Sequence, residues 1–203
     1  MEYVGRNQRT FHQCTMNIIL GSSSPRRKEL LSSLGFEFTT LNPDIDESFS
    51  NEIPVEKVAA YLAEQKTNAL ESQLKKADLL ICSDTVVVIN NQILGKPKDE
   101  QDAFHILKQL VGKTHKVITG VALKSLEKTH VFSVETTVTF THLSDEKIRF
   151  YIQNFHPFDK AGSYGIQDWI GLIGVKKIEG SYTNVMGLPT CELYEAINDF
   201  SGG

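Results

Sequence analysis

The chain has 203 residues, 40% of them hydrophobic and 23% charged, with a formal net charge of -4. That length suits one domain or two small lobes sharing a core, and the composition is that of a globular protein. The acidic balance argues against a general nucleic-acid binder, and no apolar stretch is long enough to span a bilayer.

Residues 1–15 are polar and aperiodic and lack the apolar core of a secretory signal. They read as a disordered or non-essential N-terminal extension ahead of a single domain over residues 16–203. A first strand is predicted over 17–20 and a helix over 25–34, with Pro25 suited to the first helical position and Gly35 to the C-terminal cap. Leu30, Leu31 and Leu34 form its apolar stripe. A strand over 36–41 leads into an acidic loop, NPDIDES. A longer helix over 54–74 places Val55, Val58, Ala59, Leu62, Ala69 and Leu70 on one face, and Lys66 falls on the same stripe.

The run LLICSDTVVVI reads as one strand buried on both faces, with Asp84 interrupting it at its centre. Asn90-Asn91 suggests a hairpin turn. Asp99 caps a helix bearing Ala103, Ile106, Leu107 and Leu110, which ends at Gly112. Strands follow over 117–124 and 131–140, then a helix opened by Ser144 with Ile148, Tyr151, Ile152 and Phe155 on one face. After the segment DKAGSYGIQD, strands are predicted over 171–178 and 182–185, joined by a turn at Glu179-Gly180. A last helix carries Leu193, Ala196, Ile197 and Phe200. Interleaved helices and hairpins predict an α/β fold with a mixed sheet. Cys14, Cys82 and Cys191 form no CxxC pair, which argues against a disulfide framework and points to a reducing cytoplasm.

Several charges sit where the pattern does not call for them. Arg26 and Arg27 occupy the first turn of a helix, where the dipole repels cations by ~0.3–1 kcal/mol each. The loop before them, Gly21 to Ser24, offers close backbone approach and hydroxyl donors, so the helix start reads as an anion site in which the arginines are paired. It lacks the GxxxxGK[ST] pattern of a Walker loop. For Lys66 the helix pattern favours a buried stem with a solvated head. Asp84 is costly inside an apolar strand unless it caps a turn, binds a metal or serves as a general base. A two-residue hairpin loop places Lys96 on the face of Thr85, and one more residue places it on that of Asp84. Asp44, Asp46 and Glu47 offer a second carboxylate for a hard cation such as Mg²⁺. The six histidines show neither HxxxH nor HxH spacing. Together these features outline a triphosphate site: Arg26, Arg27, Lys66 and Lys96 against phosphates, Asp84 and Glu47 holding Mg²⁺. No evident nucleophile–base pair is present, so metal-oriented water is the simpler attacking group.

The segments GSSSPRRKELLSSLG, SDTVV, GKPKD and DKAGSYGIQ…IEGSYTNVMGLP, in this order, resemble the Maf family of nucleotide pyrophosphatases over essentially the whole chain from Asn17. The resemblance implies an elongated mixed sheet with two α/β lobes around a deep cleft, like that of inosine triphosphate pyrophosphatases. It implies cleavage of a nucleoside triphosphate to the monophosphate and pyrophosphate with a divalent cation, Mg²⁺ or Mn²⁺. Asp84 corresponds to the proton acceptor, and Glu47, Lys66, Lys96 and the pair Arg26 and Arg27 to further motif residues. Ser22 and Ser24 would grip the phosphate chain. The AGSYGIQ segment places the chain in the branch acting on dTTP and UTP, with modified pyrimidine nucleotides as further substrates, in which Arg26, Thr85 and Gln167 are the specificity positions. A cytoplasmic homodimer that cleans nucleotide pools is the family expectation. Asp168 stands where glycine is usual in the family, and Gly95 where some members carry an acidic residue. The rival readings are a 7-methyl-GTP or inosine triphosphate pyrophosphatase, and a non-hydrolysing nucleotide-binding regulator of septum formation.

Overall fold

The computed structural model describes residues 16–201, and the extension expected over 1–15 lies outside them. Its sheet follows from the apolar runs. β1 (Asn17–Gly21) lies between β2 (Phe38–Leu41) and β3 (Asp78–Ile89) and is parallel to both. β3 then runs antiparallel to β5 (Thr114–Lys124), which leads to β6 (Thr129–Phe140) and β7 (Val175–Glu179). β4 (Gln92–Leu94) folds back on β3 through a two-residue turn in which Asn90 and Asn91 both take positive φ, +49° and +60°. That is the left-handed pair a tight hairpin requires, and asparagine tolerates it.

The helices are α1 (Pro25–Ser33), α2 (Val55–Leu70), α3 (Glu100–Leu110), α4 (Asp145–Phe155), α5 (Trp169–Gly174), α6 (Tyr182–Met186) and α7 (Thr190–Ser201). Asp99 and Ser144 cap α3 and α4 through their side chains, as their sequences require. β3 alternates between two layers. Leu79 and Ile81 pack with Leu30, Leu31, Leu193 and Ile197 of α1 and α7. On the opposite face Leu80 and Cys82 pack with Leu70, and Val86 and Val88 with Val58, Ala59 and Leu62 of α2. Further along, Val87 and Ile89 join a separate core with Leu107, Leu110, Ile148 and Tyr151. One strand therefore belongs to both halves of the molecule.

Some predicted bounds shift. Strand 36–41 begins at Phe38, while Phe36 turns into the core beneath α1. The long helix ends at Leu70 in a short 3₁₀ turn, Glu71–Gln73, and Ala69 is exposed. Two predicted strands are wholly or partly helical. Within 171–178 the first residues belong to α5, because Gly171 lets that helix close on the preceding loop: a Cβ there would stand 1.9 Å from the Ile166 carbonyl oxygen. The segment 182–185 is α6, capped by Ser181, whose hydroxyl accepts from Asn184 N–H at 3.2 Å, and ended by Gly187 at φ +112°. Apolar alternation over four residues is too short to tell a strand from a helix, and here the caps decide.

The pairing of β1 with β3 ends at Gly21 and Cys82, and β4 joins the same side only from Val87. Among the described residues no strand covers 83–86 on that side. This gap lies at the C-terminal end of a parallel strand flanked on both sides, the position where open α/β sheets bind ligands. α2 lies close beneath it because of Gly120, the β5 partner of Asp84: a Cβ on Gly120 would stand 2.2 Å from the Ala59 carbonyl carbon. Gly120→Ala is therefore expected to destabilise the fold by about 3 kcal/mol or more, read as a lower urea midpoint. Gly95→Ala, where an added methyl meets nothing within 4 Å, should stay within about 0.5 kcal/mol of the parent.

Candidate active site

A cleft of about 490 Å³ opens over the gap in the sheet. At its floor two of the odd charges of the sequence meet. Asp84 stands on β3 between Cys82 and Val86, and Lys66 stands on α2 between Leu62 and Leu70, so each interrupts an apolar row at the same level. Lys66 is 5% exposed and Asp84 8%. The Lys66 ammonium hydrogen-bonds Asp84 Oδ1 and lies 2.7 Å from Glu47 Oε1. Glu47 Oε2 in turn receives Lys96 Nζ at 3.2 Å. The reading of Lys66 as a stem with a solvated head does not hold: the side chain is buried, and its ammonium meets two carboxylates. Partial burial would raise the Glu47 carboxyl, but the hydrogen bond and charge of Lys66, with Lys96 behind it, hold it at about 2. The hairpin has the two-residue loop, yet β4 stops at Leu94, so strand alternation no longer governs Lys96 and its long side chain reaches Glu47.

The start of α1 forms the adjoining wall. Pro25 takes the first helical position after Ser24, and Ser22 Oγ accepts from Ser24 N–H at 3.2 Å. Arg27 donates through Nε to the Gly187 carbonyl at 2.9 Å and through Nη2 to Thr85 Oγ1 at 3.2 Å. Burial pushes its guanidinium below the ordinary value, opposed by Asp84. Thr85 Oγ1 also shares a hydrogen bond with Thr119 at 2.9 Å. Arg26 also lines the cleft and pairs with Asp159 Oδ2 at 2.7 Å. Sequence reasoning did not single out Asp159 or Gly187. The first is an exposed acid like many others, and the second acts through its carbonyl, which no pattern reveals.

The opposite wall comes from the DKAGSYGIQ segment. Tyr164 is buried, and its hydroxyl meets Nε2 of the buried His115 at 2.7 Å. Gln167 lines the cleft, with an Oε1 that is buried and has no hydrogen-bond partner among the described residues. The cleft thus brings together Ser22, Ser24, Arg26, Arg27, Glu47, Lys66, Asp84, Thr85, Lys96 and Gln167.

This arrangement has chemical limits. Burial pushes the Cys82 thiol up to about 12, so it is no nucleophile at neutral pH. Among the described residues no group of three or more His, Cys, Asp or Glu is placed to hold a metal. Asp84 and Glu47 do fit a hard cation that completes its shell with substrate oxygens and water, since both carboxylates reach the same ammonium.

A family model described as "Maf-like protein" matches residues 17–200. A Porphyromonas gingivalis protein named dTTP/UTP pyrophosphatase is 49% identical over 186 residues, covering 90% of this chain and 94% of the relative. Relatives of the same name from Flavobacterium psychrophilum and Phocaeicola vulgatus are 49% and 50% identical, over 87% of this chain and 91% and 92% of their own. Among solved structures, the Staphylococcus aureus Ham1 protein superposes with a TM-score of 0.45 at 15% identity, over 61% of this chain and 71% of that one. That likeness is too slight to carry an argument.

His115 makes the wall sensitive to acid. Burial holds its imidazole at about 4, below the ordinary 6.5. The unfolded chain takes up this proton below pH 6.5 while the folded chain refuses it until about pH 4. The stability tied to the neutral ring is therefore complete above pH 6.5 and lost as pH falls to 4, by about 3 kcal/mol in all. His115→Gln is expected to flatten the fall in urea midpoint across this window relative to the parent.

Proposed function

From the premise that this chain belongs to the Maf-like family, we propose that it hydrolyses dTTP and UTP to the monophosphate and pyrophosphate. It is a nucleoside triphosphate pyrophosphatase, and the observation that carries the reading at the site is the convergence of Asp84, Glu47 and Lys66 beneath an arginine-bearing helix start.

In this reading the triphosphate lies over the start of α1, where Ser22, Ser24 and the first N–H groups of the helix grip its oxygens. Asp84 accepts the proton of the water that attacks the α-phosphorus. Arg27, oriented by Thr85 and Gly187, stabilises the charge that builds on the phosphates, together with Lys66 and Lys96. Asp84 and Glu47 are the residues that would hold Mg²⁺ or Mn²⁺, which when bound neutralises phosphate charge and lowers the pKa of water. Arg26, Thr85 and Gln167 select the nucleotide. The Gln167 amide, whose buried Oε1 has no partner among the described residues, would supply an acceptor for the N3–H of uracil or thymine and an N–H₂ donor for O4. The Thr85 hydroxyl is itself held by Arg27 and Thr119. Among the described residues no helix is long and apolar enough to cross a membrane. Work on the cytoplasmic nucleotide pool, as a homodimer and without nucleic acid, completes the proposal.

Purified protein with Mg²⁺ or Mn²⁺ should release pyrophosphate from dTTP and UTP faster than from purine triphosphates. Equal or faster turnover of 7-methyl-GTP or inosine triphosphate would refute the branch assignment. Asp84→Asn is expected to lower kcat by roughly 10²–10⁴-fold while the triphosphate still binds. Retention of full turnover would remove Asp84 from the chemistry.

A further inference from the structure

The turn that presents Gln167 is fastened by groups that take no part in holding phosphate. Asp168 N–H donates to the Gly165 carbonyl at 3.0 Å, closing a four-residue turn around Ile166 and Gln167. Tyr151, fully buried on α4, ties both ends of that turn: its hydroxyl donates to Asp168 Oδ2 at 2.7 Å and accepts Gly165 N–H at 3.1 Å. The Asp168 carboxylate fills the space beside Gly165, where a Cβ would stand 2.5 Å from Oδ2. Lys160 lies 3.8 Å from Asp168 and 2.8 Å from Asp159, the partner of Arg26, so charge links this turn to the other wall of the cleft.

We propose that Asp168, acting through Tyr151, is a positioning residue for base recognition. It fixes the turn so that the Gln167 amide presents one orientation to the base. The inference rests on the pyrimidine triphosphate reading above. Uracil and thymine offer an acceptor at O4 and a donor at N3, whereas cytosine offers a donor at its amino group and an acceptor at N3. A glutamine amide matches either pattern by turning over, because its two ends are a carbonyl and an N–H₂. Discrimination therefore depends on how firmly the amide is held, and a loosened turn costs selectivity more than turnover.

The test is kcat and KM for UTP and CTP in the parent and in Asp168→Ala, Asp168→Asn and Tyr151→Phe, with thermal midpoints alongside. Asp168→Ala and Tyr151→Phe should each narrow the preference for UTP over CTP about tenfold, mainly through KM, with kcat for UTP falling less than about threefold. Asp168→Asn keeps an acceptor for the Tyr151 hydroxyl and should retain the parent ratio. If Asp168→Ala does not fold, Asp168→Ser serves in its place. UTP and CTP falling in step in the variants overturns the proposal whatever happens to the midpoint, as does a failure of Asp168→Asn to restore the ratio. A parent enzyme that cleaves neither UTP nor dTTP overturns the underlying reading as well, whereas a selective parent with unchanged variants overturns this inference alone.

Discussion

An ammonium beneath a sheet must find opposite charge there or leave, and the placement of Lys66 organises the cleft. Its partner Asp84 sits on the strand above it, and Glu47 arrives from an exposed loop to complete the neutralisation. Removing Lys66 or Asp84 leaves the other charge buried and poorly compensated, at a cost of about 3–5 kcal/mol, whereas the Glu47 side chain is 43% exposed and its loss costs far less. The requirement reaches into the packing. α2 must lie close enough for its lysine to touch β3, and the missing side chain of Gly120 allows that approach. The ion pair also falls between two apolar clusters, which keep water from either side.

β3 carries the second constraint. On one face its first residues pack with α1 and α7 and its last with α3 and α4, while α2 packs along the other face. Asp84 and Thr85 occupy the handover, where the edge of the strand is uncovered. Successive residues of a strand face opposite ways, so Asp84 reaches α2 while Thr85 reaches Arg27 of α1. A single dipeptide thereby links the helices on both sides of the sheet to one cleft.

Much of this was legible from the residues. The apolar run around Asp84, the caps Asp99 and Ser144 and the Asn90-Asn91 turn each obey local rules strong enough to be read singly. The misplaced charges marked the site because burial makes an unmatched charge expensive anywhere else. Lys66 was misjudged for the same reason that it matters: a helix pattern shows that a lysine is buried but not what it meets. α5 and α6 differ from the expected strands because short helices leave almost no periodicity, and their ends are set locally by backbone geometry: Gly171 against Ile166, the Ser181 cap on Asn184 and the left-handed Gly187. The family resemblance supplied the meaning of Gln167, which its local sequence does not distinguish from any loop glutamine.

The pairing of charges in the cleft shapes what can enter it. Lys66 already has Asp84 and Glu47, Lys96 has Glu47, Arg26 has Asp159, and Arg27 has a carbonyl and a hydroxyl. Among the described residues Arg27 is thus the cleft cation whose partners carry no charge, while the lysines and Arg26 are each matched by carboxylates. An anion that engages those matched cations displaces carboxylates and leaves them in need of positive charge. A lone inorganic phosphate brings none, whereas a polyphosphate escorted by its own divalent ion would satisfy both sides of the exchange at once.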